Sequence, residues 1–275
     1  VGTADDVLAY ALSRLPATYA ANEEALVRLV NRAPNFAPRT LLDLGCGPGT
    51  ASWAALDAFP SVEHATLVDS NAHFLGVARD LGGEHPVLAS ASFVSGNLAA
   101  PPTGRFDLVV VSYALTELGD PAAAIARIWE SCGGVLLVVE PGTPRDHERL
   151  MAVRSRLIGQ GASVAAPCPH DAPCPVAAPD WCHFSVRLSR TRDHMRMKGG
   201  TLGYEDEKFS YMAAVRPDVA LAQARPRVLA RPVETKFDVT LKLCESDGAL
   251  EYRSVPKRDA TAYRAVRKAA WGDAL

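Results

Sequence analysis

Between residues 40 and 140 the chain alternates two hydrophobic periods. Short runs rich in Leu and β-branched residues, at 40–44, 65–69, 92–95, 108–112 and 135–140, read as buried strands. Between them Trp53 and Leu56, then Phe74, Leu75 and Ala78, then Ile125, Ile128 and Trp129 recur at helical spacing. Asp120 ahead of Pro121 reads as an N-cap followed by proline at the first helical position. Strands alternating with helices predict parallel pairing through right-handed crossovers, hence an α/β fold with a doubly wound sheet. Leu26, Leu29 and Val30 predict a helix ahead of the first strand. Leu150, Val153, Leu157 and Ile158 mark the apolar face of another that starts at Thr143-Pro144.

Past Gly159 this rhythm stops. Residues 159–182 hold five prolines and three cysteines with neither period, so something other than a backbone ladder must order them. The Arg-rich residues 186–198 are expected to be helical. Residues 237–244 alternate strictly, Asp247-Gly248 turns the chain, and 250–255 form a second strand. Residues 260–270 read as a last, basic helix. Two units are expected: 1–158, a ligand-binding α/β domain with N-terminal helices, and 159–275, a Cys-rich, β-containing module.

A chain of 275 residues that is 48% apolar can build a large core, which excludes a disordered protein. No apolar run approaches the roughly 18 residues that span a bilayer, so no membrane association is expected. The first fifteen residues carry Asp5 and Asp6 where a leader would be basic, so a cytoplasmic protein is expected, and a monomer. The net charge of -2 hides a division: residues 1–182 hold 11 Arg, no Lys and 19 acids, whereas residues 183–275 hold 18 basic and 12 acidic side chains. Such asymmetry points to a basic surface aimed at an anionic partner, nucleic acid first, or else to a solvated face without one.

Two constellations carry candidate chemistry. In the first, Asp43-Leu44-Gly45-Cys46-Gly47-Pro48-Gly49 joins the first strand to the next helix. Glycines there let the backbone turn sharply and approach a ligand. The spacing is G-x-G-x-G, not the dinucleotide G-x-G-x-x-G, and it suits S-adenosylmethionine; a glycine turn that binds NAD or nothing is the alternative. This half resembles class I methyltransferases. That resemblance implies that the loop wraps the methionine portion, that Asp69 at the end of the second strand accepts from the ribose hydroxyls, that Gly96-Asn97 contacts adenine, and that Ser112 and its neighbours line the methyl-donor side. No catalytic residue is recognisable: an Asn-Pro-Pro-Tyr type motif is missing, Cys46 is a packing residue, and Cys132 looks like part of a helix ending. Glu117 orients a substrate or caps the next segment, the cap being preferred, and Glu140, at the end of the fifth strand, faces the acceptor or forms a turn, the turn being preferred.

The second constellation is Cys168, Cys174, Cys182 and the distant Cys244. C-x5-C-x7-C is too wide for a zinc knuckle. Thiolate coordination would order the Pro-rich segment, and all-sulfur ligation fits iron–sulfur or zinc; four unrelated buried thiols are the alternative. His170 and His183 are spare ligands. Pro167-Cys168-Pro169-His170, Cys174-Pro175, Asp180-Trp181-Cys182-His183-Phe184, Tyr204-Glu205-Asp206-Glu207-Lys208-Phe209-Ser210-Tyr211 and Trp271-Gly272-Asp273 make the resemblance specific. From Arg14-Leu15-Pro16-Ala17-Thr18-Tyr19 onward, the chain resembles the mitochondrial small-ribosomal-subunit assembly methyltransferase family and its bacterial relatives. The likeness implies a 4Fe-4S cluster on Cys168, Cys174, Cys182 and Cys244, with zinc as the alternative metal. It also implies the small ribosomal subunit and its rRNA as partners. Without a recognisable targeting segment, a bacterial member is expected.

Overall fold

Period-two alternation sorts the central strands onto two faces. Leu41, Leu108, Val110, Val135, Leu137 and Val139 point into one apolar core, and Leu42, Leu44, Val109, Val111, Leu136 and Val138 into another. These residues belong to strands β1 (Thr40–Leu44), β4 (Phe106–Ser112) and β5 (Cys132–Pro141) of a computed structural model that describes residues 3–275. Val1 and Gly2, which open the acidic N-terminal stretch, lie outside the described residues. With β2 (His64–Asp69) and β3 (Ser92–Ser95), the parallel half of the sheet runs β3-β2-β1-β4-β5.

On the first face lie α1 (Ala4–Arg32), α2 (Thr50–Ala58) and α3 (Ala72–Gly82), followed by the single turn α4 (Pro86–Ala89). α1 starts on a capping box between Thr3 and Asp6 and buries a stripe of Ala17, Ala21, Ala25, Leu26 and Leu29. On the second face lie α5 (Pro121–Glu130) and α6 (Pro144–Ile158). Their N-caps, Asp120 and Thr143, accept from the N–H groups of Ala123 and Asp146 as the Asp-Pro and Thr-Pro pairs predict.

The second half departs from expectation. The sheet does not end near residue 158. β6 (Ser163–Ala166), β7 (Phe184–Ser189) and β8 (Tyr204–Val215) join it, with β8 antiparallel to β5 and both β6 and β7 antiparallel to β8. The predicted helix over 186–198 is a strand through Ser189, and only then the short helix α7 (Arg192–Lys198). Its charges misled: Arg187 stands directly across from Asp206 on β8 and pairs with it at 2.7 Å, so the ribbon is held by cross-strand ion pairs. Cys132 does not end a helix. It is the buried first residue of β5, where the strand leaves α5 through Ser131 alone.

A second sheet is built from β9 (Arg227–Val228), β10 (Val233–Glu234), β11 (Asp238–Cys244) and β12 (Leu250–Pro256), with β11 pairing all the others. Val228, Val239, Leu241 and Leu243 form its small core, covered by Tyr263 and Val266 of α8 (Ala260–Val266). Cys244 and Leu229 instead pack with the first core, which ties the two sheets together. Among the described residues no helix is long and apolar enough to cross a membrane.

Candidate functional site

The loop after β1 crosses the carboxyl ends of the parallel strands, where open α/β sheets bind ligands. Gly45, Gly47 and Gly49 all hold left-handed backbone, with φ of 71°, 52° and 82°. At Gly45 a Cβ would come within 2.7 Å of the Ala114 Cβ, so only glycine lets the loop lie against the turn after β4. Asp69 at the end of β2 ties this loop down: Gly47 N–H donates to its Oδ2 and Asn71 N–H to its Oδ1, both at 2.8 Å.

A cavity of about 340 Å³ opens over the loop. It is lined by Asp43, Gly45, Gly47, Asp69 and Ser112, and it adjoins a smaller one of about 160 Å³ that Asp69 shares with Gly96 and Asn97. The structure thus gathers all but one of the loop and strand-end residues expected from sequence. Gly49 lines neither cavity and serves as the N-cap of α2. Asp43 is wholly buried; its Oδ2 accepts from Ser52 N–H and Oγ, while its Oδ1 has no partner. Burial pushes its carboxyl up to about 7.

Sequence reasoning missed Tyr10, Thr18 and Phe74, which roof the larger cavity from α1 and α3. The rings of Tyr10 and Phe74 meet edge to face with centroids 5.3 Å apart. Glu117 is not a cap of the next helix: it lies in the 3-10 turn Leu115–Glu117 and lines both cavities. Burial and the nearby Asp69 charge raise its carboxyl. Tyr113 takes φ 56°, rare for a side chain of that size, and its hydroxyl donates to Glu207 of β8 at 2.9 Å. Arg14 of α1 reaches the same carboxylate at 3.0 Å. Burial, then the Glu207 charge, raises the Tyr113 phenol well above its ordinary value, so it stays neutral. Glu140 is not a turn residue but a fully buried anchor. Its Oε1 accepts from the N–H groups of Ala114 and Leu115 and fixes the turn that carries Tyr113, and burial pushes its carboxyl up to about 7.

Cys168, Cys174, Cys182 and Cys244 line one small apolar cavity, together with Val176, Leu229 and Arg227. All are free thiols, and no group of three His, Cys, Asp or Glu among the described residues is arranged about a single ion. The Cys-rich metal module expected from sequence is therefore met in its side chains and not in a formed single-ion site. Burial raises the Cys168 thiol, the Cys182 thiol strongly, and that of Cys244 to about 12, each further raised by its neighbouring thiols. The Arg154 and Arg227 charges oppose this at Cys168. His170 Nε2 lies 3.2 Å from Cys244 Sγ, while His183 stacks on Trp181 and stays apart from the thiols' cavity.

Much of the basic excess of the second half is consumed internally. Arg190 pairs with Glu205, Arg253 with Glu245 and Glu251, and Lys257 with Glu234. Arg258, Arg264, Arg267 and Lys268, around α8, form no ion pair among the described residues, and the last three are exposed.

The mitochondrial ribosome assembly protein METTL17 of Homo sapiens is 31% identical over 98% of this chain and 62% of its own length. Rsm22-cox11 tandem protein 2, a mitochondrial protein of Schizosaccharomyces pombe, is 27% identical over 98% of this chain and 43% of its own. The chain therefore spans less than two thirds of the length of these relatives. A solved chain from the complex of the Haloferax volcanii Trm112 methyltransferase activator with a methyltransferase superposes with a TM-score of 0.50 at 20% identity, over 78% of this chain and 96% of that one. Its likeness is one of fold, the Rossmann-like class I methyltransferase fold. Residues 4–275 match the family described as mitochondrial small ribosomal subunit Rsm22, and the chain belongs to that family.

Proposed function

We propose that this chain binds S-adenosylmethionine and acts on, or helps assemble, the small ribosomal subunit through its rRNA. The observation that carries this reading is the convergence of the left-handed glycines, Asp69, Gly96-Asn97 and Ser112 on two adjoining cavities at the strand ends. When bound, S-adenosylmethionine supplies an electrophilic methyl group on a sulfonium. Asp69 has oxygen lone pairs left to accept from vicinal hydroxyls, and the glycine backbone admits close approach. The unpartnered Asp43 oxygen suits a neighbouring cation. Tyr10 and Phe74 exclude water above it, and positioning of this kind is the main demand of a methyl displacement.

A second reading, an assembly factor that uses the fold as a scaffold without catalysis, is favoured by Tyr113. Its hydroxyl, at the cavity that would receive an acceptor, is committed to Glu207. Mass spectrometry of rRNA from cells with and without the protein separates the two: a missing methyl group marks an enzyme, an unchanged pattern with stalled subunits a scaffold.

A 4Fe-4S cluster on Cys168, Cys174, Cys182 and Cys244 is part of the same proposal. Four thiols line one small cavity, and four thiolates, one per iron, are the ligands such a cluster takes. Buried Arg154 and Arg227 and the nearby Lys242 offset the negative charge of thiolate ligation. The cluster would crosslink the chain there. For the rRNA, the unpaired side chains around α8 are the proposed contact. Neutralising Arg264, Arg267 and Lys268 together is expected to weaken association with the small subunit and flatten its salt dependence; identical co-sedimentation across a salt series would count against that surface.

A further inference from the structure

A cavity of about 570 Å³, larger than those over the glycine loop, lies between the end of α1 and residues 265–275 and shares Arg227 with the thiols' cavity. Five cations line it, Arg28, Arg32, Arg225, Arg227 and Lys268, against one acidic side chain, Asp273. Only Arg28 among the five has carboxylate partners, Glu24 and Asp273. Arg227 is 5% exposed, donates to the Pro167 and Gly272 carbonyls, forms no ion pair among the described residues and also lines the thiols' cavity. Arg225 and Lys268 form no ion pair among the described residues and are exposed at the cavity's mouth. At Arg32 the Nε and one terminal nitrogen are buried with no hydrogen-bond partner, and burial together with the Arg227 charge lowers its pKa. Buried donors without an acceptor are rare in native proteins.

We propose that this cavity is a binding site for a phosphate group. Guanidinium forks from two directions, unsatisfied N–H donors and an uncompensated positive charge are what phosphate oxygens answer, and a neutral ligand would leave the charge unbalanced. Arg28 stands 18 residues along α1 from Tyr10, about 27 Å of helix, so the site is separate from the glycine-loop cavity. It needs no S-adenosylmethionine, but it shares Arg227 with the thiols' cavity and Lys268 with the proposed rRNA contact. The phosphate comes either from an RNA backbone or from a free phosphorylated molecule.

Calorimetry on the full chain at constant ionic strength, with pyrophosphate and with a short single-stranded RNA as probes, tests the site. Arg32→Gln and Arg225→Gln are each expected to weaken binding of at least one probe by about tenfold, with Lys236→Gln, an exposed cation outside the cavity, leaving it unchanged. Arg225 is exposed, so its variant folds even if the Arg32 variant does not. Competition between the two probes assigns the phosphate to RNA; independent binding assigns it to a free molecule. RNA that fails to bind while pyrophosphate binds removes the rRNA contact and keeps this site. If neither cavity variant weakens either probe more than Lys236→Gln does, there is no phosphate site here.

Discussion

Asp69 fixes the glycine loop and faces the cavity with the same carboxylate, so its removal acts twice. Asp69→Ala is expected to weaken binding of S-adenosylhomocysteine by roughly 1.5–3 kcal/mol, the usual worth of hydrogen bonds to a charged group. Calorimetry that finds equal affinity in wild type and variant would remove Asp69 from the site. Glu140 gives a pH dependence of definite sign. Its folded pKa of about 7 lies above the ordinary carboxylate value, so between that value and 7 the native state binds the extra proton. Its contribution is thus fully present in acid and is lost as pH rises toward 7, about 1.4 kcal/mol per pKa unit of separation. Glu140→Gln keeps an oxygen for the Ala114 and Leu115 N–H groups and is expected to flatten that part of the denaturation profile; an unchanged slope would place the titration elsewhere. At this scale the glycines were legible because loop chemistry is local in sequence, and Asp69, at the end of the next strand, through the family resemblance. Tyr10, Phe74 and Glu117 were not, since only the path of α1 and α3 over the sheet brings them to the cavity.

Among the elements, the parallel half was legible because strands buried on both faces read as apolar runs. β8 was not. Its first half, Tyr204 to Lys208, is a ribbon whose burial alternates beside β7, and its run of charges hides a strand in which Asp206 stands opposite Arg187 and Glu205 pairs with Arg190. The Glu-Asp-Glu-Lys motif acquires a physical meaning there: two of its acids stitch the ribbon, and Glu207 clamps Arg14 of α1 and Tyr113 of the β4 turn to β8. Glu207→Ala removes an ion pair that is partly exposed and strands a buried phenol, which costs roughly 1–3 kcal/mol of stability. Because Tyr10 and Thr18 flank Arg14, amide hydrogen exchange in the first half of α1 is expected to quicken and S-adenosylhomocysteine affinity to fall several-fold. A variant that loses stability while both of those stay at wild-type values would show that the clamp is purely structural.

For the whole molecule, the question is what joins two sheets that belong to one chain but have separate cores. Backbone pairing between strands does not, among the described residues: β6, β7 and β8 complete the first sheet, and β9 to β12 pair with each other and, at Arg227, with Ala274. The junction is made by side chains. Cys168, Cys174 and Cys182 arrive from the irregular stretch after β6, and Cys244 from the last position of β11, so the cavity they line lies where the sheets meet. From sequence the four thiols were expected to share one site, but spacing alone did not specify it, because Cys244 is brought in by a strand 62 residues after Cys182. A cluster held there would crosslink the sheets, and its loss would loosen more than a loop. Protein purified without oxygen is therefore expected to be brown and to carry iron and acid-labile sulfide in comparable amounts. Both are expected to vanish when any one of the four becomes serine, with faster amide exchange in β7 and β11 alike. Cys46→Ser and Cys132→Ser are expected to retain them, since one thiol sits in the glycine loop and the other in the second core. Zinc without sulfide in the anaerobic protein would keep the four ligands and overturn the cluster. No metal at all would make the four cysteines ordinary packing residues, and the junction of the sheets would then rest on apolar packing, Leu229, Leu250 and Cys244 against the first core, and on the buried Arg227.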